Sequence, residues 1–411
     1  MHTKLLILLF FIGFSLCTQA EVKDSKDSDG IWAFNYINHL RSKAGMKVFS
    51  KNTLLDKAAL NHASYCHTNL VGGHFEAPEK IGFTGYDHVE RLNAVGYNSR
   101  STGENVSFHK GEVNDKNSVD GLMAAIYHRF GFLSFEYDEI GIGKIQGDNY
   151  GSFVYNMGNI SKNSLCLAGG SKISGKFYSA ICRDKQIQIS AKEFDLATFK
   201  TQQDNPAVVV WPAPDSSDVP PAFFEESPDP LPDYSVSGYP ISIQFNPSVF
   251  PDVKPVVMRF ELIDLQTGLP LELIRRIDKN TDQHKKFSDY EHAIFPRQRL
   301  GWFRQYRAEV DYVVDGVRKS IVWTFDTRSL NVPIYEVRKD NTVIKEKSAK
   351  EFAVYVPPKN RNDTDLAYST KYRGLSDLDI KILDGNTLMV KATGDGEAII
   401  SFHGLTFRIE I

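Results

Sequence analysis

Apolar residues in the first third of the chain recur at the spacing of amphipathic helices. The first such run covers residues 33–44, and Gly45 directly after it is expected to end the helix. Three more runs follow, and each begins at a residue whose side chain can cap a helix N-terminus. The predicted caps are Thr53, Asp87 and Ser118. The sequence therefore predicts four helices before residue 135.

An alternating pattern replaces the helical one after these runs. Residues 139–145 and 153–157 alternate between apolar and polar side chains, so a small antiparallel sheet is expected to follow the helices. The first domain is therefore predicted to cover residues 28–160. Residues 161–205 have a polar, mixed pattern, which we interpret as an extension wrapped on the first domain.

The rest of the chain has the pattern of β-structure. Prolines between residues 206 and 232 are too dense for a helix or a central strand, which predicts a linker that enters a second domain. Beyond it the period is two almost throughout. Asp315 and Gly316 indicate a hairpin, because both central positions of a type I′ turn need a positive φ. We expect an Ig-like β-sandwich over residues 206–330 and a smaller β domain over residues 331–411, and hence the α+β class.

Residues 1–20 have the three parts of a secretory signal peptide. Lys4 supplies the basic part, residues 5–14 are apolar, and residues 18–20 form a candidate cleavage site that ends in the small residue Ala20. We expect cleavage at this point, so that the mature protein begins near Glu21 and is secreted, either to the extracellular space or to the periplasm. No later stretch approaches the twenty apolar residues of a transmembrane helix.

The four cysteines have different expected roles. Cys17 could accept a lipid anchor, but Leu16 before it is larger than the small residue of a bacterial lipobox, so we favour its removal with the signal peptide. In an oxidising compartment Cys166 and Cys182 are the nearer pair and are predicted to form a disulfide. Cys66 would then be a lone thiol, and its Ala-rich helical surroundings indicate a buried structural residue rather than a nucleophile.

Composition narrows the class of partner. The chain has 411 residues, of which 42% are hydrophobic and 24% charged, as in ordinary globular proteins. Its formal net charge is -3, and it has no dense run of Lys or Arg that would follow a phosphate backbone. We therefore do not expect a nucleic-acid partner.

Three residues form the candidate site. His74 follows a predicted helix end, Glu104 lies in a predicted loop, and His128 lies towards the end of the fourth predicted helix. Two imidazoles and a carboxylate can bind one divalent ion, zinc above all, with a position left open. The alternatives are structural: His74 could cap a loop, Glu104 could accept N–H bonds that order its loop, and His128 could be a buried residue with a hydrogen-bond partner.

Several short motifs follow one another in the first third of the chain. In chain order they contain Asn38, Arg41, Gly45, Leu54, Leu55, Ala58, Ala59, His74, Arg91, Gly96, Tyr97, Gly103 to Val106, His128, Arg129, Gly141 to Gly143, and Phe153 to Tyr155. The most specific part is Gly-Glu-Asn-Val placed between two histidines. This order resembles the CAP superfamily, also called SCP or TAPS, which includes the cysteine-rich secretory, antigen 5 and pathogenesis-related 1 proteins. The likeness covers about residues 30–160 and is nearest to the bacterial, disulfide-poor branch.

The resemblance implies an α-β-α sandwich with a central cleft, where two histidines and two acidic residues can bind a divalent ion, often zinc. His74, Glu104 and His128 match three of those four positions. The second acid does not carry over: where the family has Trp and, three residues later, Glu, this chain has Leu122 and Ala125. A three-ligand site is therefore the expectation.

Three hypotheses for function follow. The leading one is a secreted CAP-domain protein that binds a ligand or partner in its cleft, with an optional divalent-metal site. A small apolar ligand, a cell-wall component and a protein all remain open as the partner. The second is a metal-assisted hydrolase of the peptidase type, in which the ion would activate water. The third is an extracellular adhesive or scaffolding protein that acts through its Ig-like domains, by analogy of fold alone.

Overall fold

The computed structural model describes residues 30–110, 113–147, 150–171, 173–346, 351–357, 370–374, 378–392, 394 and 396–411. The predicted signal peptide over residues 1–20, the start near Glu21 and Cys17 lie outside the described residues. In the part of the chain that is described, no helix is both long and apolar enough to cross a membrane.

The N-terminal part is a sheet of four strands with helices on both faces. The strand order is β1-β3-β4-β2, in which β4 is antiparallel to both β3 and β2, and β1 is parallel to β3. In chain order the elements are α1 (Ile31–Lys43), β1 (Ser50–Lys51), α2 (Thr53–Asn69), α3 (His88–Val95), β2 (Gly103–Lys110), α4 (Asp115–Ala124), α5 (Ile126–Phe132), β3 (Glu139–Gln146) and β4 (Tyr150–Gly158).

Successive residues of each strand point to opposite faces of the sheet, and each face has its own apolar core. On one face, Ala59 and Ala63 of α2 pack against Val106 of β2 and Val154 of β4, and α3 packs beside α2. On the other face, α1, α4 and α5 cover a larger core that includes Tyr155. This period of two explains why neighbouring residues of one strand serve different layers.

Two glycines of β3 allow α2 to approach the sheet closely. A Cβ added at Gly141 would lie 2.1 Å from the backbone of Leu55 and Asp56, and one added at Gly143 would lie 2.1 Å from the backbone nitrogen of Leu60. No side chain fits at either position, so the two glycines allow α2 to pack directly on β3.

The sequence predicted two helix starts incorrectly. Asn52, not Thr53, caps α2, because its side-chain oxygen accepts hydrogen bonds from the backbone N–H groups of Leu54 and Leu55 at 2.9 and 3.2 Å. Ser118 does not cap a helix either. It is buried within α4, which begins at Asp115.

The helical run that leads to His128 is interrupted. Ala125 adopts an extended conformation with φ -73° and ψ 113°, which ends α4 and places a new helix, α5, directly after it. His128 is therefore near the start of a short helix and not towards the end of a long one. Glu104 also differs from expectation, because it lies on strand β2 and not in a loop.

Residues 160–203 pack on this first unit. They contain α6 (Ile160–Leu167), β5 (Phe177–Tyr178), β6 (Ile189–Ser190) and α7 (Ala191–Gln203). Cys166 and Cys182, the pair favoured by the sequence, form a disulfide that is buried with Ile189. Backbone hydrogen bonds from Arg100 to Ile181 and from Arg183 to Asn98 attach the segment to the loop after α3.

The next region has two main sheets that face one another. Their strand orders are β14-β15-β11-β7 and β13-β12-β16-β17-β8, and β9 pairs with β10 beside them. The strands are β7 (Val208–Trp211), β8 (Ser216–Val219), β9 (Ala222–Phe223), β10 (Ser237–Gly238), β11 (Ile241–Phe245), β12 (Val256–Asp264), β13 (Leu269–Pro270), β14 (Leu273–Ile277), β15 (Glu291–Pro296), β16 (Gln305–Val314) and β17 (Val317–Thr327). Asp315 and Gly316 both have positive φ, as the predicted hairpin turn requires.

The Pro-rich tract is packed structure and not a free linker. It contains β7, β8 and β9, and its buried residues include Trp211, Val219 and Phe223. The prediction failed because β7 and β8 are edge strands, where prolines before and after a strand leave the hydrogen bonds of the sheet intact. One continuous apolar core joins this region to α1, α4 and α5.

The C-terminal region has two four-stranded sheets around a separate core. Their orders are β18-β20-β23-β22 and β19-β25-β24-β21. The strands are β18 (Ile334–Glu336), β19 (Val343–Lys345), β20 (Glu351–Tyr355), β21 (Lys371–Gly374), β22 (Leu378–Asp384), β23 (Thr387–Ala392), β24 (Glu397–Phe402) and β25 (Leu405–Glu410). The C-terminal half is thus β-rich, as predicted, and its Ig-like character stays a prediction.

Candidate functional site

His74 and Glu104 are in direct contact at the edge of the first sheet. Nδ1 of His74 lies 3.0 Å from Oε1 of Glu104. The Glu104 side chain is 1% exposed, whereas that of His74 is 36% exposed. β2 is the edge strand of its sheet, so its inward-facing carboxylate meets the loop that follows α2. The structure thus brings together two of the three predicted site residues.

Arg91 also binds the carboxylate of Glu104. Its Nη2 donates to Oε1 and Oε2 of Glu104 at 2.9 and 2.8 Å, and also to the backbone oxygen of His74 at 3.1 Å. Asn156, with its amide oriented to satisfy Ala59, donates to Oε2 of Glu104 at 3.2 Å. Both oxygens of Glu104 are therefore occupied by donors from the protein.

The charge state of Glu104 follows from these donors. Burial alone would raise the pKa of Glu104, but the hydrogen bond from His74 and the positive charge of Arg91 together lower it to about 2. Glu104 is therefore a buried carboxylate that fixes His74 through Nδ1. Sequence reasoning treated Arg91 only as part of a motif and missed its contact with Glu104.

His128 has a carboxylate partner that the sequence did not predict. Its Nδ1 lies 2.9 Å from Oε2 of Glu226, a residue that follows β9. Oε1 of Glu226 accepts the N–H of Ile126 at 2.6 Å, and Oε2 accepts that of Tyr127 at 3.1 Å. Burial raises the pKa of Glu226 above its ordinary value, and the bonds from His128 and from these two amides offset that rise only in part. Since both oxygens accept N–H groups, the ionised form fits these contacts.

The two histidines lie side by side. Their ring centroids are 6.4 Å apart and the ring planes differ by 15°. Asn105, which points to the opposite face of β2 from Glu104, donates to the backbone oxygen of His128 at 2.8 Å and so connects α5 to the strand that carries Glu104.

A buried polar network supports the His74 side of the site. Nδ1 of His62 lies 2.9 Å from Oε1 of Glu76, and its Nε2 lies 3.0 Å from the backbone oxygen of Gly73. Glu76 also accepts the N–H of Thr84 at 2.6 Å. This network fixes both ends of the loop that presents His74.

A metal ion needs several ligand atoms whose lone pairs are not already used. Within the described residues, no group of three or more His, Cys, Asp or Glu side chains is arranged to hold one. The predicted three-ligand set is not open, because Glu104 is bound by Arg91 and His74. A carboxylate on Nδ1 is the usual outer partner of a metal-binding histidine, and His74 and His128 each have one. The metal site stays a prediction.

Exposed aromatic side chains adjoin the histidines. Phe75, directly after His74, is 60% exposed, and Tyr86 is 54% exposed. Their ring centroids are 5.1 Å apart. A separate cavity of about 570 Å³ lies between α1, α4 and the β region, with Tyr36 and Trp211 in its wall. His74 and His128 do not line that cavity, and their side chains are 36% and 12% exposed.

Comparison with known proteins agrees with this architecture. Residues 34–157 match the model of the CAP family, described as the cysteine-rich secretory protein family. The chain carries a CAP domain. The match includes His74, Glu104 and His128, and it ends before Glu226. A search of curated proteins gave no match.

Three solved structures illustrate the similarity. An extracellular SCP-domain protein from Bacillus anthracis is 18% identical, with 30% of this chain and 38% of that chain covered and a TM-score of 0.26. An outer surface protein from Borrelia burgdorferi is 18% identical, with 33% and 94% covered and a TM-score of 0.28. A cysteine-rich secretory protein from Staphylococcus aureus is 20% identical, with 33% and 41% covered and a TM-score of 0.25. The chain spans less than half the length of the Bacillus and Staphylococcus proteins.

The candidate site therefore includes one residue, Glu226, from outside the part of the chain that matches the CAP family. The sequence signal for Glu226 was indirect. The CAP resemblance left an acid missing at Ala125, and Glu225 and Glu226 stand together directly after the apolar stretch of residues 219–224. Nothing in the local pattern shows that one of them reaches α5.

Proposed function

We propose that this protein is an extracellular binding protein whose CAP cleft takes a divalent cation, zinc in preference, at His74 and His128, together with a ligand at the same place. The observation that carries the proposal is that Nδ1 of each ring is bound by a buried carboxylate. In a neutral ring with hydrogen on Nδ1, Nε2 holds a lone pair. Two such nitrogens side by side form a donor pair of the type that zinc prefers.

The bound cation would give the cleft a positive charge, and the protein would fix where that cation lies. Glu104 and Glu226 hold the rings, and the remaining coordination positions are open to water or ligand. Phe75 and Tyr86 at the rim offer aromatic surface, which suits a ligand with an apolar part.

A binding function is favoured over the metal-assisted hydrolase. Hydrolysis would need a carboxylate or imidazole free to accept a proton from water. Both oxygens of Glu104 and both of Glu226 already accept hydrogen bonds from the protein. The third hypothesis, an adhesive role for the β region, remains the alternative if the cleft binds nothing.

Secretion is part of the proposal. It rests on the signal-peptide pattern of residues 1–20 and on the buried disulfide between Cys166 and Cys182, which is stable in oxidising compartments. Mass spectrometry of the culture medium and of cell fractions tests it. A mature N-terminus near Glu21 in the medium is the expected result, and retention of the full chain inside the cell would contradict it.

Zinc affinity tests the cleft. Calorimetric titration of the purified protein is expected to show one zinc ion, and His74→Ala and His128→Ala are each expected to weaken binding at least tenfold. His39→Ala changes an exposed histidine on α1 and is the matched control. If the protein bound no zinc, or if His39→Ala reduced binding as much as the other two, the proposed site would be wrong.

A further inference from the structure

The side chain of Glu226 is held by one short stretch of the CAP domain. It is 1% exposed, and its contacts are the N–H groups of Ile126 and Tyr127 and Nδ1 of His128. These are the first three residues of α5. Ala125 before them has no side chain that could cap the helix. A residue distant in sequence thus meets the start of α5 at the turn that presents His128.

The environments of the two site histidines are matched. His74 has Glu104 on Nδ1 and His128 has Glu226 on Nδ1, at 3.0 and 2.9 Å. Both carboxylates are 1% exposed. A hydrogen bond from Nδ1 to a fixed carboxylate keeps the hydrogen on that nitrogen and leaves the lone pair on Nε2. Both rings therefore offer the same atom to the cleft.

The two carboxylates differ in their balance of charge. Glu104 is paired with Arg91 at 2.8 Å. Among the described residues Glu226 has no Lys or Arg within ion-pair distance, and only His128 and two backbone amides contact its oxygens. Arg129 interacts with Glu226 electrostatically without forming an ion pair with it, so the direct partners of Glu226 are His128 and the backbone amides.

We infer that Glu226 is the positioning residue of His128, and that the segment after β9 completes the cleft of the CAP domain. Glu226 acts through His128 and does not itself contact the ligand. The inference about orientation stands on the contacts alone, whereas its consequence for cation affinity rests on the proposed function. The cleft would then be a joint product of the CAP domain and the β region.

The orientation of His128 can be measured in the unaltered protein. Nitrogen NMR of histidine-labelled protein at alkaline pH distinguishes hydrogen on Nδ1 from hydrogen on Nε2. His128, assigned by the signal lost in His128→Ala, is expected to carry hydrogen on Nδ1. Hydrogen on Nε2 in the neutral ring would overturn the inference, whatever the result with zinc.

Variants then test the role of the carboxylate. Glu226→Gln keeps the shape and one acceptor oxygen, Glu226→Ala removes both oxygens, and Glu225→Gln makes the same charge change at an exposed neighbour. We expect zinc affinity to fall roughly tenfold in Glu226→Gln and towards a hundredfold in Glu226→Ala, with no change in Glu225→Gln. The His128 signal should change in Glu226→Ala while that of His74 stays in place.

The outcomes separate this inference from the proposed function. If the wild-type protein binds no zinc, the proposed function fails, and the NMR result alone decides the role of Glu226. If the wild-type protein binds zinc and folded Glu226→Gln and Glu226→Ala bind it equally well with an unchanged His128 signal, the inference is wrong and the proposed function stands. Circular dichroism of each variant establishes that it is folded.

Discussion

Oε2 of Glu226 lies 2.9 Å from Nδ1 of His128, although 98 positions separate the two residues in the chain. The neighbours of His128 are held in a similar way. Tyr127 donates its hydroxyl to Asp282 at 2.6 Å, and Arg129, fully buried, donates to the hydroxyl of Ser242 at 3.0 Å. Three successive residues of α5 are therefore fixed by the region that follows the CAP domain.

The first prediction concerns this attachment. Tyr127→Phe removes only the hydroxyl that donates to Asp282, and a hydrogen bond to a charged partner contributes about 1.5 to 3 kcal/mol. We expect a loss of that order in the free energy of unfolding, measured by urea denaturation. Tyr178→Phe removes an exposed hydroxyl bonded to Asp195 and should change stability very little. Equal stability of the two variants would show that the contact with Asp282 does not hold α5.

The second prediction concerns the close packing of α2 on the first sheet. Gly143→Ala would place a Cβ 2.1 Å from the backbone nitrogen of Leu60, so we expect it to lower stability by at least about 1 to 3 kcal/mol. Gly121→Ala is the control, because it lies on an exposed face of α4 with no atom within 4 Å of the added Cβ. It should raise stability by about 0.5 to 1 kcal/mol. Thermal unfolding of both variants measures the contrast, and a stable Gly143→Ala would contradict the close packing.

The third prediction concerns Cys66. It is a free, buried cysteine, and burial raises the pKa of its thiol to about 12. Since the thiolate is the reactive form, a thiol reagent at pH 8 should leave the native protein unmodified and modify one thiol after denaturation. Ile81→Cys places a thiol at a position that is 76% exposed and should react at once. Rapid modification of Cys66 in the native protein would show that its site opens.

The fourth prediction concerns the pH dependence of stability. His292 is buried, and neither ring nitrogen has a hydrogen bond in the part of the chain that the structure describes. Burial lowers the pKa of His292 from 6.5 to about 4. The unfolded chain therefore takes up a proton at this residue at a higher pH than the folded chain does, so protonation favours unfolding as the pH falls from 6.5 towards 4.

Removal of this group should reduce the acid sensitivity. The shift corresponds to about 3 kcal/mol, and His292→Gln is expected to lose less stability than the wild-type protein between pH 7 and pH 4 by up to about that amount. Urea denaturation at a series of pH values measures the difference. Parallel curves for the two proteins would show that His292 is accessible to protons in the folded state.

Local pattern was sufficient for much of the CAP fold. Apolar spacing predicted α1 to α3, with Asp87 correctly placed as the cap of α3, and the alternation after residue 138 predicted β3 and β4, because each depends on neighbours in the chain. Gly141 and Gly143 were part of the resemblance, and the structure gives the physical reason for them. The class of the C-terminal half followed from its period of two.

Distant contacts explain what local pattern missed. The break at Ala125 coincides with the binding of the first amides of α5 by Glu226, which no local pattern reveals. Glu104 was expected in a loop, but its strand is defined by pairing with β4, some fifty residues later. The prolines of residues 206–232 suggested a linker because sequence alone does not distinguish an edge strand from an unstructured segment.

The most direct test of the central claim is anomalous X-ray diffraction at the zinc absorption edge, from crystals of the zinc-loaded protein. Our account predicts one strong peak within coordination distance of Nε2 of His74 and of His128, with Glu104 and Glu226 still on the two Nδ1 atoms. A peak at other residues, or no peak at the histidines in the presence of excess zinc, would contradict it.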